Sequence, residues 1–75
     1  MNKQRRKSIS DNIKLLENIK NDLGVILSDE EFYFDNMPEN LQGSLRGEEA
    51  EQAIDTLTEV IETLENCVED LNEIV

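Results

Sequence analysis

Gly47–Val75 reads G-E-E-A-E-Q-A-I-D-T-L-T-E-V-I-E-T-L-E-N-C-V-E-D-L-N-E-I-V. Its apolar residues Ala50, Ile54, Leu57, Ile61, Leu64, Val68, Leu71 and Val75 are separated by alternating steps of four and three. That spacing places them on one stripe of an α-helix in heptad phase. A second row, Ala53, Val60, Cys67 and Ile74, recurs every seventh residue beside the first, which widens the stripe to the breadth that a bundle helix uses. No Pro and no further Gly interrupts the run, and Glu48 and Glu49 stand where a helix N-terminus favours negative charge. The pattern predicts a helix over about 48–75.

The N-terminal half carries the same phase less regularly. Ile9, Ile13, Leu16, Leu23, Leu27 and Phe34 hold heptad positions, Lys20 and Glu30 fill the two polar slots, and Leu15, Ile19, Ile26 and Tyr33 add a flank. A helix over about 2–34 is predicted. Ser8 or Ser10 could cap a later start, but the earlier start, which takes in the basic cluster Lys3, Arg5, Arg6 and Lys7, is preferred. Gly24 lies inside the run and costs about 1 kcal/mol relative to Ala, so a kink or a close helix contact is expected there. Residues 35–47 (D-N-M-P-E-N-L-Q-G-S-L-R-G) read as a loop. Pro38 suits the first position of a short turn, Asn36 is placed to cap it, and Gly43 and Gly47 can supply positive φ.

The fold class that follows is all-α: a single 75-residue domain of two long antiparallel amphipathic helices, a helical hairpin, each roughly 40 Å long. Such a pairing sets the basic Met1–Lys7 segment beside Glu65, Glu69, Asp70 and Glu73. A two-helix hairpin encloses no core, and small domains need extra burial. Self-association is therefore expected, most simply as a dimer forming a four-helix bundle; an apolar stripe kept open for a foreign partner is the competing account.

Composition excludes several classes of function. The formal net charge is −11, and Gly47–Val75 holds ten acidic residues and no basic one, so direct nucleic-acid binding is not expected and a protein with a basic surface is the more natural partner. No apolar run approaches the roughly 18 residues of a membrane span, no signal peptide is read at the N-terminus, and a cytoplasmic location is expected. There is no histidine, no calcium-loop pattern and no glycine-rich phosphate loop. The lone Cys67, in an apolar row without a basic neighbour, reads as a small hydrophobe. Neither catalysis, a cofactor nor a metal is expected.

Two features could carry binding. The loop end gathers every aromatic residue, Phe32, Tyr33 and Phe34, with Met37, Leu41 and Leu45. The plainer account makes these a plug for the hairpin end; the sharper one makes Tyr33, Asn40, Gln42, Ser44 and Arg46 a polar recognition patch. Arg46, the only cation after Lys20, offers a fork for carboxylate or phosphate, or simply pairs with Glu48, Glu49 or Asp35. The second feature is the acidic face of the second helix, Glu51, Asp55, Glu62, Glu65 and Glu69. Regular negative charge on a rigid rod can occupy a basic cleft.

Tyr33–Leu57, Y-F-D-N-M-P-E-N-L-Q-G-S-L-R-G-E-E-A-E-Q-A-I-D-T-L, resembles a family of small acidic helical proteins encoded by phages and prophages of Gram-positive bacteria. The shared core, D-N-[ML]-P-E-x-L-Q-x-S-x-R-G-E, falls on Asp35–Glu48. The resemblance implies a phage setting, in the cytoplasm of a bacterial host, and no particular mechanism; small phage-encoded proteins of this kind often disarm host machinery. Three functions fit: inhibition of a host defence or nucleic-acid-handling protein through the acidic face or the loop patch, an oligomeric sponge for an anionic nucleotide signal, or a structural or regulatory subunit of a larger complex.

Overall fold

A computed structural model describes residues 1–75. It is all-helical, with three elements: α1 (Lys3–Asp35), the single turn α2 (Glu39–Gln42) and α3 (Leu45–Asn72). The molecule is extended, 58 × 15 × 13 Å, and α1 and α3 contact each other.

Local chemistry fixes the ends of α1. The Asn2 side chain accepts a hydrogen bond from the Arg5 amide at 2.8 Å, satisfying one of the free N–H groups of the first turn. The early start is thus the observed one. At the other end the Asn36 amide and side-chain nitrogen both donate to the Phe32 carbonyl, at 3.1 and 2.7 Å. Asn36 therefore caps the end of α1 and not the start of the following turn, as the sequence had suggested. Pro38 takes the N-cap position of α2 with φ −56° and ψ 145°; its carbonyl accepts from the Leu41 and Gln42 amides at 2.8 and 3.2 Å. The expected loop over 35–47 is accordingly shorter and contains a helical turn.

The third helix starts at Leu45, three residues ahead of the sequence reading, because Ser44 caps it. The Ser44 hydroxyl accepts from the Gly47 amide at 3.5 Å and donates to the Leu41 carbonyl. No residue has positive φ, glycine included, so the positive φ expected of Gly43 and Gly47 is not used. Gly47 serves closeness instead. It is buried, and a Cβ there would overlap the Gln42 carbonyl. Gly24 is the opposite case: a Cβ built on it meets nothing within 4 Å.

Packing follows the heptad seam. Every seam position from Ile9 to Phe34 in α1 and from Gly47 to Leu71 in α3 is buried or partly covered, Lys20 and Glu30 included. The buried apolar side chains are Ile13, Ala50 and Val68, none of them completely enclosed. Burying a Val or Ile contributes about 1.5–3 kcal/mol, so Ile13 and Val68 with the small Ala50 make a slight core. The flanking rows are left open: Ile19, Ile26, Tyr33, Val60 and Ile74 are all exposed. Cys67, expected in the apolar interior, is exposed as well, because it belongs to a flanking row and not to the seam.

Candidate functional site

The residues proposed for a loop patch divide in two. Gln42 turns inward, its side-chain amide donating to the Phe34 and Met37 carbonyls at 3.3 Å each. Phe34 lies in the last turn of α1, whose carbonyls have no following helical N–H, and the Met37 amide reaches its carbonyl as well at 3.1 Å; Met37 itself lies just beyond the helix. Gln42 thus ties α2 to the end of α1, and Ser44 ties α2 to the start of α3. Both are occupied in holding the connection together. Tyr33, Asn40 and Arg46 are exposed. The three sit on different elements, the last turn of α1, α2 and the first turn of α3, near one end of the rod.

Arg46 has no ion-pair partner; Lys7–Asp11, at 3.1 Å within α1, is the one salt bridge in the chain. The expected pairing of Arg46 with Glu48, Glu49 or Asp35 is not observed. The basic N-terminal residues likewise form no ion pair with Glu65, Glu69, Asp70 or Glu73. All these groups are exposed, where side-chain entropy and solvent screening oppose a fixed contact. Any steering between the two ends is long-range.

The aromatic plug is partial. Phe34 and Met37 are partly covered, whereas Phe32 and Leu45 are each 71% exposed and Leu41 is also open. Phe32 follows Val25 by seven residues on the side of α1 away from the seam, a spacing that already separates them from the core stripe. Three apolar side chains thus stand in solvent at the loop end beside Arg46.

On α3, Glu51, Asp55, Glu62, Glu65 and Glu69 are all exposed and none is ion-paired. Asp55, Glu62 and Glu69 form one row at intervals of seven, with Glu51 and Glu65 on another. One basic and nine acidic residues leave α3 at net −8, while six basic and seven acidic residues leave α1 at −1.

The surface has one depression, open and shallow, lined by Glu49, Gln52, Ala53, Thr56 and Leu57. All five belong to α3, and the small side chain of Ala53 makes the dent. No group of His, Cys, Asp and Glu is arranged to hold a metal ion, and no helix is long and apolar enough to cross a membrane. Compared with protein-family profiles, curated proteins and solved structures, the chain matches none of them.

Proposed function

We propose that this chain is a non-catalytic phage accessory protein that acts by binding: an antiparallel helical hairpin, self-associated into a bundle, whose acidic α3 face docks on a basic surface of a host protein and inhibits it. The hairpin is supported by dimensions. At 1.5 Å per residue α1 and α3 are about 50 and 42 Å long, yet the longest dimension of the molecule is 58 Å. Nine residues separate the two helices, so they fold back side by side. Self-association is supported by the slight core and by a radius of gyration of 17.1 Å, against about 11 Å for a compact chain of this length.

The observation that carries the binding role is the unneutralised row of carboxylates on one uninterrupted helix. Charge fixed on a rigid rod keeps its spacing, so a basic cleft of matching pitch gains the full set of contacts without ordering flexible side chains on a mobile backbone. Proteins that bind nucleic acid present Lys- and Arg-rich surfaces of this kind. The test is affinity capture of host proteins on the immobilised chain, beside a variant carrying Glu62→Lys, Glu65→Lys and Glu69→Lys. A partner held by the original chain, released by salt and missing from the variant supports the reading, provided circular dichroism finds both equally helical. Equal capture by both removes it.

A second reading, an oligomeric sponge for an anionic nucleotide, is favoured by one observation: Arg46 is exposed and unpaired beside Tyr33's end of α1. A rise in melting temperature with cyclic nucleotides, lost in Arg46→Ala, would move this reading to first place.

A further inference from the structure

We infer that one side of the hairpin is the docking surface for a second copy of this chain, and that the two copies pair with their loops at the same end, α1 of each lying against α3 of the other. The inference rests on the hairpin and self-association proposed above and specifies their geometry.

The two exposed apolar rows share a handedness. Ile19, Ile26 and Tyr33 each precede a seam residue that opens a three-residue step (Lys20, Leu27, Phe34). Ala53, Val60 and Cys67 precede Ile54, Ile61 and Val68, which do the same. Both rows are therefore on the same flank of their own heptads, and antiparallel partners bring like flanks to the same side of the pair. One side of the hairpin then presents Ile19, Ile26 and Tyr33 beside Val60, Cys67 and Ile74, all exposed. Thr63 borders this side, and its hydroxyl is already bonded to the Glu59 carbonyl at 2.9 Å, which leaves its methyl group for contact. The other side carries Glu17, Gly24 and Glu31 next to Glu51, Thr58 and Glu65. Only one side is apolar.

Area points to an occupant. The chain exposes 5721 Å², whereas a compact monomer of 8.6 kDa exposes about 4700 Å². The excess, about 1000 Å², is the size of one partner's share of a stable interface, about 800 Å².

Charge chooses the arrangement. A two-fold axis can run along the bundle, with loops together and α1 facing α3 of the second copy. It can instead run across the bundle, with loops apart and α3 facing α3. The second choice sets net −8 against net −8 and brings Glu49 of each copy to the level of Asp70 of the other. The first sets α3 against α1, which carries −1, and lays the basic residues Lys3–Lys7 beside the acidic last turns of both α3 helices. It also brings Ile26 of the second copy to about the level of the Ala53 dent, a large residue over a small one.

The test measures loop-to-loop distance. Spin labels are placed at exposed Asn40 through Asn40→Cys, in a Cys67→Ala background so that one site is labelled, and read by double electron–electron resonance with native mass spectrometry on the same sample. A dimer with a label separation of about 20–30 Å is expected, since packed helices lie 8–10 Å apart. A dimer with a separation near the 58 Å length of the rod would overturn the same-end arrangement while leaving self-association standing. A monomer with no dipolar coupling would overturn the second copy as occupant and the self-association with it.

Discussion

Replacing Gly24 and Gly47 by alanine, one at a time, tests the packing of this protein with a single substitution type whose sign differs between the sites. Both glycines lie in helices, so propensity alone predicts a gain of up to about 1 kcal/mol at each. At Gly24 nothing opposes that gain, because a Cβ meets no atom within 4 Å. At Gly47 the added Cβ overlaps the backbone carbonyl of Gln42 and stands 2.8 Å from its Cα. Backbone cannot rotate aside as a side chain can, so α2 must move off α3. Overpacking of this kind costs about 1–3 kcal/mol. Displacing α2 also weakens the two 3.3 Å hydrogen bonds of Gln42, each contributing about 0.5–1.5 kcal/mol. Set against the propensity gain, Gly47→Ala is expected to lose about 1–3 kcal/mol while Gly24→Ala gains somewhat under 1. For a chain of this size each kcal/mol moves the melting temperature by about 4–8 °C. Thermal melts followed at the helical circular-dichroism band, at one fixed chain concentration because the proposed self-association would make the melting point depend on it, read both signs. A Gly47→Ala variant as stable as the original chain would refute the close α2–α3 approach. A Gly24→Ala variant that melts lower would mean that another chain packs on the side taken here as free.

Three further outcomes are expected. Lys20→Leu replaces a partly covered polar residue in the seam and should stabilise by about 1 kcal/mol, on the transfer value of a leucine discounted for incomplete burial; a denaturant midpoint that rises at unchanged slope is the readout. Gln42→Ala should cost about 1–3 kcal/mol by removing two hydrogen bonds of about 0.5–1.5 kcal/mol each, one to the Met37 carbonyl and one to the Phe34 carbonyl, which keeps the Met37 amide, whereas Asn40→Ala on the same turn should change little. Raising the salt concentration from about 0.05 to 0.5 M should raise the melting temperature, because screening relieves the like-charge spacing of Glu51, Asp55 and Glu59 and of Glu65, Glu69 and Glu73; a fall would show that attraction between the chain's basic and acidic ends outweighs repulsion within α3.

The sequence by itself determined the helices and their seam. A four-and-three alternation of apolar residues over seven turns has no other regular solution, and the residues it marks are those the structure covers, Lys20 and Glu30 included, save Val75, which lies past the end of α3 and is exposed. It also placed the connection, through Pro38 and the glycines, but misjudged its inside. Ser44, Asn36 and Gln42 each have several possible backbone partners within a few residues, and which one is taken depends on how the turn between the helices closes. That is why two of the five residues of the candidate loop patch proved to be occupied with holding the connection. The ion pair expected of Arg46 was misjudged for a related reason: sequence proximity of charges does not overcome the freedom of long side chains in water. Only the tertiary structure decided how wide the buried stripe is. Two helices in contact can cover one seam and no more, since each flanking row points past the partner into solvent. Cys67, Ile26 and Val60 are exposed for that geometric reason, although nothing in their own chemistry distinguishes them from Val68, Leu27 and Ile61 beside them.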